Sequence, residues 1–271
     1  KINYGILAFS NKKKRSIVTN KNHLTPRYIG PERPEHSGRM SREEIKERFN
    51  NETAIAYGLQ PDPAWMPDFW QMVECVPELL RPHLPDNALV LDVGAGTGNL
   101  SRFVLEAFPH VKMELLDFSE SMLAEVPHVL ADYPGRYGIM VYDFLDADLG
   151  SLKYEAAVSS FAIHHCRGEA EYGRIYHRLF QALKPGGIFV CCDVVAGADE
   201  HLTELNEKGW RKALKEQHFS DSDVDRILSN YHVEDSPLAL WLHMKLLREV
   251  GFQAMDVIWK RNNFSVYTAI K

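Results

Sequence analysis

The chain has 271 residues, of which 45% are hydrophobic and 25% are charged, so its composition is that of an ordinary globular protein with a large core. Its formal net charge of −6 argues against a broad nucleic-acid-binding surface, and its longest apolar runs are too short to span a bilayer. We therefore expect a cytoplasmic protein with no membrane segment, and we do not expect the body of the chain to bind nucleic acid.

Residues 1–40 form a basic arm that contains nine lysines and arginines but only two acidic residues, which leaves the rest of the chain strongly acidic. Such an arm is either a solvated tail or a contact for RNA or an acidic protein.

Residues 41–87 are predicted to form a helical cap. Ser41 and Glu44 have the spacing of a capping box and predict a helix to about Asn50, and the apolar spacing that follows predicts a second helix.

From residue 88 onward, short apolar runs alternate with stretches of helical periodicity, which predicts a parallel sheet with helices on both faces. The apolar runs cover residues 88–93, 111–117, 137–142, 156–161 and 187–194. Each run is short enough to be one buried strand.

The alternation stops at about residues 199–250, where the pattern predicts three helices, at about 200–216, 220–231 and 236–249. Ser236 and Pro237 are typical of the start of the last helix. An insert of this length is usually functional, and we interpret it as a lid.

Two terminal strands joined by residues 261–263 predict an antiparallel hairpin. Residues 88–271 are thus predicted to form one Rossmann-like, doubly wound α/β domain with a mostly parallel seven-stranded sheet.

The stretch "LDVGAGTGN" at residues 91–99 places three glycines directly after the first predicted strand. Glycines at 94, 96 and 98 allow a sharp turn and let a ligand touch the main chain. Their spacing differs from the dinucleotide fingerprint, in which the third glycine follows the second by three residues. Asp92 beside the loop would repel a pyrophosphate and attract a cationic ligand.

Two further acidic residues follow the next two strands. Asp117 ends the second strand, where a carboxylate can accept the hydroxyls of a ribose. Asp143 follows the third strand, beside Phe144, and suits an adenine amine and ring face. Together with Asp92, these residues predict one crevice for an adenosine that carries a positively charged tail.

The stretches "VLDVGAGTGNLS", "LLDFSESML", "VYDFLDADL", "AAVSSFAIHH" and "LKPGGIFV", in that order over about residues 88–195, resemble the motifs of class I S-adenosylmethionine-dependent methyltransferases. The resemblance implies S-adenosyl-L-methionine as cofactor and S-adenosyl-L-homocysteine as product. It also implies cofactor contacts from Asp92, Gly94, Ala95, Gly96, Gly98, Asp117, Phe118, Met122, Asp143, Phe144 and Ser160. The last 70 residues are similar to the carboxy-S-adenosylmethionine synthase branch, although that branch departs from "GAGTG" in its glycine loop.

Candidate residues for the acceptor side lie after the fourth strand and in the helical insert. His164 and His165 have a side-chain type suited to taking a proton near neutral pH, so they are the candidate catalytic residues. Adjacent histidines with no identifiable third ligand make a poor metal site, so no metal is expected. The candidate acceptor-binding residues are Trp70, His164, Trp210, Arg211 and Tyr231.

The leading hypothesis is therefore methyl transfer from the cofactor to a small-molecule acceptor by in-line displacement. The alternatives are an RNA or protein methyltransferase guided by the basic arm, an enzyme that modifies the cofactor as carboxy-S-adenosylmethionine synthases do, and a non-enzymatic sensor of the cofactor. A nicotinamide dehydrogenase is the weakest alternative. The sequence leaves open whether the chain forms a homodimer.

Overall fold

The computed structural model of the chain describes residues 38–50, 66 and 68–271. The basic arm up to residue 37 and most of the segment between the first two predicted helices lie outside the described residues. None of the helices formed by the described residues is both long enough and apolar enough to cross a membrane.

The described residues form nine α-helices, one 3₁₀ turn and seven strands. The helices are α1 (Arg42–Phe49), α2 (Phe69–Leu80), α3 (Asn99–Ala107), α4 (Glu120–Leu123), α5 (Val126–Val129), α6 (Gly168–Ala182), α7 (Glu200–Glu216), α8 (Asp221–Glu234) and α9 (Leu240–Val250). The strands are β1 (Leu89–Val93), β2 (Lys112–Asp117), β3 (Tyr137–Val141), β4 (Tyr154–Ser160), β5 (Leu183–Val194), β6 (Ala254–Arg261) and β7 (Phe264–Ile270). The 3₁₀ turn is Ile163–His165.

The seven strands form one sheet in the order β3-β2-β1-β4-β5-β7-β6. Neighbouring strands from β3 to β5 are parallel, whereas β7 runs antiparallel to both β5 and β6. The strand order reverses between β1 and β4, and this switch point is where open α/β sheets bind ligands beyond the carboxyl ends of their strands. The Rossmann-like fold predicted from the sequence, with its antiparallel hairpin, is confirmed.

Two hydrophobic clusters cover the two faces of the sheet. One contains buried residues of α2, α3 and the insert helices, such as Val76, Val104 and Trp210. The other contains buried residues of α6 and α9, such as Ile175 and Leu247. Because helices cover both faces, the central strands are buried on both sides and their sequences are nearly continuous apolar runs.

Local signals in the sequence locate the helix starts well where a side chain caps the helix. Ser41 caps α1 and forms the predicted capping box with Glu44. The predicted start of the last insert helix is wrong, because α9 begins at Leu240 rather than just after Ser236. The reason is a long-range pairing: the Ala196 amide donates to the Leu238 carbonyl at 3.0 Å, and this contact keeps the preceding residues extended.

Candidate active site

The glycine loop after β1 is held against the neighbouring strand by its own main chain. The amides of Gly94 and Ala95 both donate to the carbonyl of Leu116, at 2.8 and 3.0 Å. Gly94, Gly96 and Gly98 have φ values of 70°, 52° and 86°, a region that favours glycine. A Cβ on Gly94 would lie 2.1 Å from the Cβ of Ala162, so only glycine fits between the loop and the chain beyond β4.

Asp117 at the end of β2 connects the glycine loop to the next loop. Its carboxylate accepts from the amide of Gly96 at 2.9 Å and from the amide of Ser119 at 2.8 Å. Burial raises the pKa of this carboxyl group, while these amide hydrogen bonds lower it. The side chain also lines a cavity at the carboxyl edge of the sheet. Asp117 therefore both shapes the loop and presents acceptor oxygens toward a ligand.

That cavity, called the first cavity here, has a volume of about 1090 Å³ counted to its open mouth. It brings together most of the residues that the sequence singled out for the cofactor: Gly94, Ala95, Gly96, Asp117, Phe118, Met122, Phe144 and Ser160. Apolar side chains beside the acceptor oxygens of Asp117 match a flat heteroaromatic ring joined to a sugar. The residues present thus fit an adenosine-containing cofactor.

Asp92 does not line the first cavity but lies fully buried beneath the loop. The Ser101 hydroxyl donates to one of its carboxylate oxygens at 2.6 Å, and no group among the described residues donates to the other. Burial, with a smaller contribution from the charge of Asp117, raises the pKa of Asp92 to about 7. The carboxyl group is therefore only partly ionised at neutral pH, which weakens the electrostatic argument made from the sequence.

Asp92→Asn is expected to flatten the pH dependence of the free energy of unfolding between about pH 6 and pH 8. The folded-state pKa of about 7 lies above the ordinary value of 3.8, so folded protein keeps a proton that unfolded protein has lost. The bound proton therefore stabilises the folded wild type at low pH, and this stabilisation is lost as the pH rises through 7. Between pH 6 and pH 8 the free energy of unfolding of the wild type should fall by about 1.4 kcal/mol. Urea unfolding at both pH values measures it. The exposed control Asp132→Asn should keep the wild-type slope, and an unchanged slope in Asp92→Asn would contradict the buried proton.

Helix α1 forms one wall of the first cavity through Arg42 and neighbouring side chains. Arg42 Nε donates to Asp143 at 2.8 Å, and Lys46 lies 2.8 Å from the same carboxylate. Although burial favours the neutral acid, these hydrogen bonds outweigh it and lower the pKa of Asp143 to about 2. The Arg42 guanidinium also lies 5.0 Å from the centre of the Phe144 ring. Asp143, predicted from the sequence to bind adenine, is thus engaged by α1 and does not line the cavity.

A second cavity of about 610 Å³ adjoins the first, and Phe49, Met66, Phe161 and His165 line both. Helix α8 and the residues after it close its far side. Phe161, where the chain leaves β4, has a φ of 51°, which is unusual for an aromatic residue. Strain of this kind is concentrated at functional sites. The geometry therefore places an acceptor-sized space directly beside the cofactor-sized one.

His164 lies between two carboxylates. Its Nδ1 donates to Asp193 at 2.5 Å, and its Nε2 is 3.4 Å from Asp235. Burial favours the neutral imidazole, but the two carboxylates outweigh it and raise the pKa of His164 to about 10. The ring is therefore a cation at neutral pH in the absence of other ligands, and it does not act as a general base in this state.

His165 has the opposite character. Burial, followed by the positive charge of the adjacent His164, lowers its pKa to about 3. Its ring packs 4.1 Å from the ring of His164 and 5.1 Å from that of Phe49, measured between centroids. Of the two histidines, only His165 lines both cavities. Glu234, another acidic residue of the second cavity, has its pKa raised to about 7 by burial and by the charge of Asp235.

The candidate acceptor residues divide into two groups. Trp210 and Tyr231 line the second cavity, as do both histidines. Trp70 and Arg211 line neither of these two cavities. Trp70 packs edge-on against Phe103 at 5.3 Å, and Arg211 is half exposed and paired with an aspartate on α8.

Several residues of the site were missed because they reach it only through long-range contacts. Arg42 and Phe49 lie on α1, and Asp235 directly follows α8 within the insert, about 70 residues after the histidines. Asp193 did give a local signal: it is an acid inside the apolar run "GIFVCCDV", and a buried acid needs a partner. Its partner is His164.

Comparison with known families gives a match in the region of the glycine loop and the central strands. Residues 90–187 match the family described as methyltransferase domain. A carboxy-S-adenosyl-L-methionine synthase of a Nitratiruptor species is 26% identical over 214 residues, which are 76% of this chain and 85% of that protein. The enzyme of the same name from Nautilia profundicola is 20% identical over 194 residues, or 72% of this chain and 82% of that protein.

Solved structures share the fold at low sequence identity. Phosphoethanolamine N-methyltransferase 2 of Haemonchus contortus, in complex with S-adenosyl-L-methionine, has a TM-score of 0.62 and 15% identity, covering 86% of this chain and 60% of that chain. Human N-acetylserotonin methyltransferase, in complex with S-adenosylmethionine, has a TM-score of 0.59 and 13% identity with the same coverage. The chain spans about three fifths of the length of these two proteins.

Proposed function

Because the chain belongs to the class I S-adenosylmethionine-dependent methyltransferases, with similarity to the carboxy-S-adenosylmethionine synthase branch, we propose that it transfers the methyl group of that cofactor to a small-molecule acceptor in the second cavity. The observation that carries the proposal is the shared wall of the two cavities. Because the two cavities adjoin at these shared residues, an acceptor in the second cavity can approach a methyl group held in the first.

When bound, the cofactor supplies an activated methyl group, which moves to the acceptor as the carbon–sulfur bond breaks and its electron pair stays on sulfur. The protein then needs only to position the acceptor against the methyl group and to exclude water. Such positioning can lower the activation barrier by roughly 7 to 11 kcal/mol. Asp117 and the glycine loop hold the adenosine end, and Phe161 and His165 border the point where the two ligands meet.

The second cavity also contains groups that can accept the proton that the acceptor loses. Glu234, with a pKa of about 7, is balanced between its acid and base forms at neutral pH. Asp235 lies next to it in the chain and faces the same space. A proton leaving an acceptor oxygen or nitrogen therefore has a carboxylate close at hand.

The charges of the second cavity favour a neutral or amine-bearing acceptor. None of the described residues that line it is a lysine or an arginine, whereas two of them, Glu234 and Asp235, are acidic. Aromatic side chains of Phe161, Trp210 and Tyr231 supply an apolar wall for a ring or an alkylammonium group. The cation among these lining residues, His164, already lies between the carboxylates of Asp193 and Asp235.

The same charges weigh against carboxyl transfer as the reaction of this chain, despite the names of its relatives. A carboxylated cofactor needs a cation to bind its new carboxylate. The two cationic side chains that line the first cavity, Arg42 and Lys46, are both paired with Asp143. The cationic His164 of the second cavity is likewise held by Asp193 and Asp235. Methyl transfer therefore fits the described residues better.

The experiment that tests the proposal is incubation of the full chain with methyl-labelled S-adenosylmethionine and a metabolite extract, followed by mass spectrometry. Release of S-adenosylhomocysteine together with a labelled small molecule is the expected result. Label in RNA or protein, or a carboxyl group added to the cofactor itself, would point to one of the alternative reactions. Cofactor binding without any product would favour the non-enzymatic alternative, a sensor of the cofactor. An acceptor identified in this way should be uncharged or carry an amine.

A further inference from the structure

We infer that His164, His165 and Asp235 form a binding site for a divalent transition metal of the Zn²⁺ type at the boundary between the two cavities. The three side chains each offer one ligand atom, and all three atoms lie within 4.8 Å of one another. Two imidazoles and one carboxylate are a common ligand set for catalytic zinc, which keeps a fourth position open. The site itself stands on this geometry, and its role in catalysis rests on the proposed function.

The distances agree with tetrahedral coordination. His164 Nε2 lies 3.4 Å from Asp235 Oδ1, and His165 Nδ1 lies 3.6 Å from the same oxygen. Ligand atoms placed about 2.0 to 2.2 Å from a tetrahedral zinc ion are separated from one another by about 3.4 Å. The two histidine nitrogens lie within 4.8 Å of each other, so the two rings must rotate toward each other for all three atoms to reach one ion.

The surroundings orient His164 in the way that a metal ligand requires, whereas His165 Nδ1 lies 3.4 Å from the Glu234 carbonyl, a contact that an ion would replace. Asp193 accepts from His164 Nδ1 at 2.5 Å and from the His164 backbone amide at 3.1 Å, which leaves Nε2 directed at Asp235. A carboxylate on the far nitrogen of a metal-binding histidine is a recurrent arrangement. The Ser236 amide donates to the His164 carbonyl at 2.8 Å and attaches the segment that carries Asp235 to the histidine turn.

The open position of such an ion faces the acceptor space. All three ligands line the second cavity, and His165 lines the first as well. A hydroxyl of the acceptor can occupy the fourth position, where the ion withdraws electron density and makes the hydroxyl more acidic. Its proton then passes to solvent, and the oxygen keeps a free lone pair for the methyl group. The expectation from the sequence that no metal binds depended on the lack of a third ligand, and Asp235 supplies it.

The test is titration of the chelator-treated full chain with ZnCl₂ by isothermal calorimetry, and with CoCl₂ by visible spectroscopy. We expect one ion per chain and the intense visible absorption of four-coordinate cobalt. His165→Gln and Asp235→Asn should each weaken zinc binding by more than about 100-fold, beyond the roughly 10- to 100-fold effect of changing a residue that only orients a ligand. His232→Gln, a half-exposed histidine on α8 outside the site, is the matched control and should bind zinc like wild type.

Cofactor affinity measured on the same variants shows whether they remain folded. Zinc binding that is absent, or that is equal in wild type and both variants, would overturn the metal site and leave the methyltransferase proposal untouched. Conversely, a chain that binds zinc at this site but transfers no methyl group would support the site and contradict the proposed function. A six-coordinate cobalt spectrum would contradict the tetrahedral geometry.

Discussion

Gly94→Ala is expected to lower the free energy of unfolding by about 3 kcal/mol, the combined effect of a strained backbone and a steric clash. The new Cβ would lie 2.1 Å from the Cβ of Ala162, and the φ of 70° is itself unfavourable for alanine. Because the loop must shift away from Ala162, cofactor affinity should fall together with stability. Urea unfolding of the ligand-free protein and calorimetric titration with S-adenosylhomocysteine measure the two effects.

Gly168→Ala is a closely matched control, because Gly168 has the same φ of 70° and a Cβ added there would have no neighbour within 4 Å. It should lose only the strain contribution, about 1 kcal/mol, and bind the cofactor normally. Adding Ala162→Gly to Gly94→Ala removes the clashing methyl group and should recover most of the lost stability. Equal effects of the Gly94 and Gly168 substitutions would show that the close approach to Ala162 is not important.

Asp117→Ala is expected to weaken binding of S-adenosylhomocysteine by roughly 100-fold, equivalent to about 3 kcal/mol. The predicted cause is the loss of two hydrogen bonds from ribose hydroxyls to a charged acceptor, each worth about 1.5 to 3 kcal/mol. The structure adds a second cause, since the carboxylate also accepts from the amides of Gly96 and Ser119. The two causes require an experiment that separates them.

A double-mutant cycle makes that separation by using S-adenosylhomocysteine and its 2′,3′-dideoxy analogue. If Asp117 binds the ribose hydroxyls, the substitution weakens binding of the analogue less than binding of S-adenosylhomocysteine, and the difference measures the ribose contact. If the substitution acts only through the loop, both ligands lose affinity equally, and the ribose contact is disproved. Glu114→Gln, a carboxylate of the same strand that pairs with Lys153, is the control and should leave both affinities unchanged.

The parts of the molecule that could be predicted from the sequence are those encoded by neighbouring residues. Apolar runs identified the strands, and the glycine loop with Asp117 and Phe144 identified the first cavity, because the carboxyl ends of parallel strands meet at one edge. The alternation of strands and helices then predicted a mostly parallel sheet, although not the order of its strands.

The parts that could not be predicted depend on contacts between distant segments. Asp143 was predicted to contact the ligand, but in the structure Arg42 of α1, about 100 residues earlier in the chain, donates a hydrogen bond to it. Asp92 looked like a full negative charge, but its burial, which the sequence does not reveal, raises its pKa to about 7. Asp235 became a neighbour of His164 only because the insert folds back over the sheet. In each case the local pattern gave the residue type and the tertiary fold gave its partner.

Helix α1 touches both halves of the site at once. Arg42 contacts the Asp143 side of the first cavity, Arg48 pairs with Glu234 of the second, and Phe49 lines the two together. One helix therefore borders both cavities, the first beside Asp143 and the second beside Glu234. In the proposed reaction, a change in the position of α1 would therefore couple exchange of the cofactor to exchange of the acceptor.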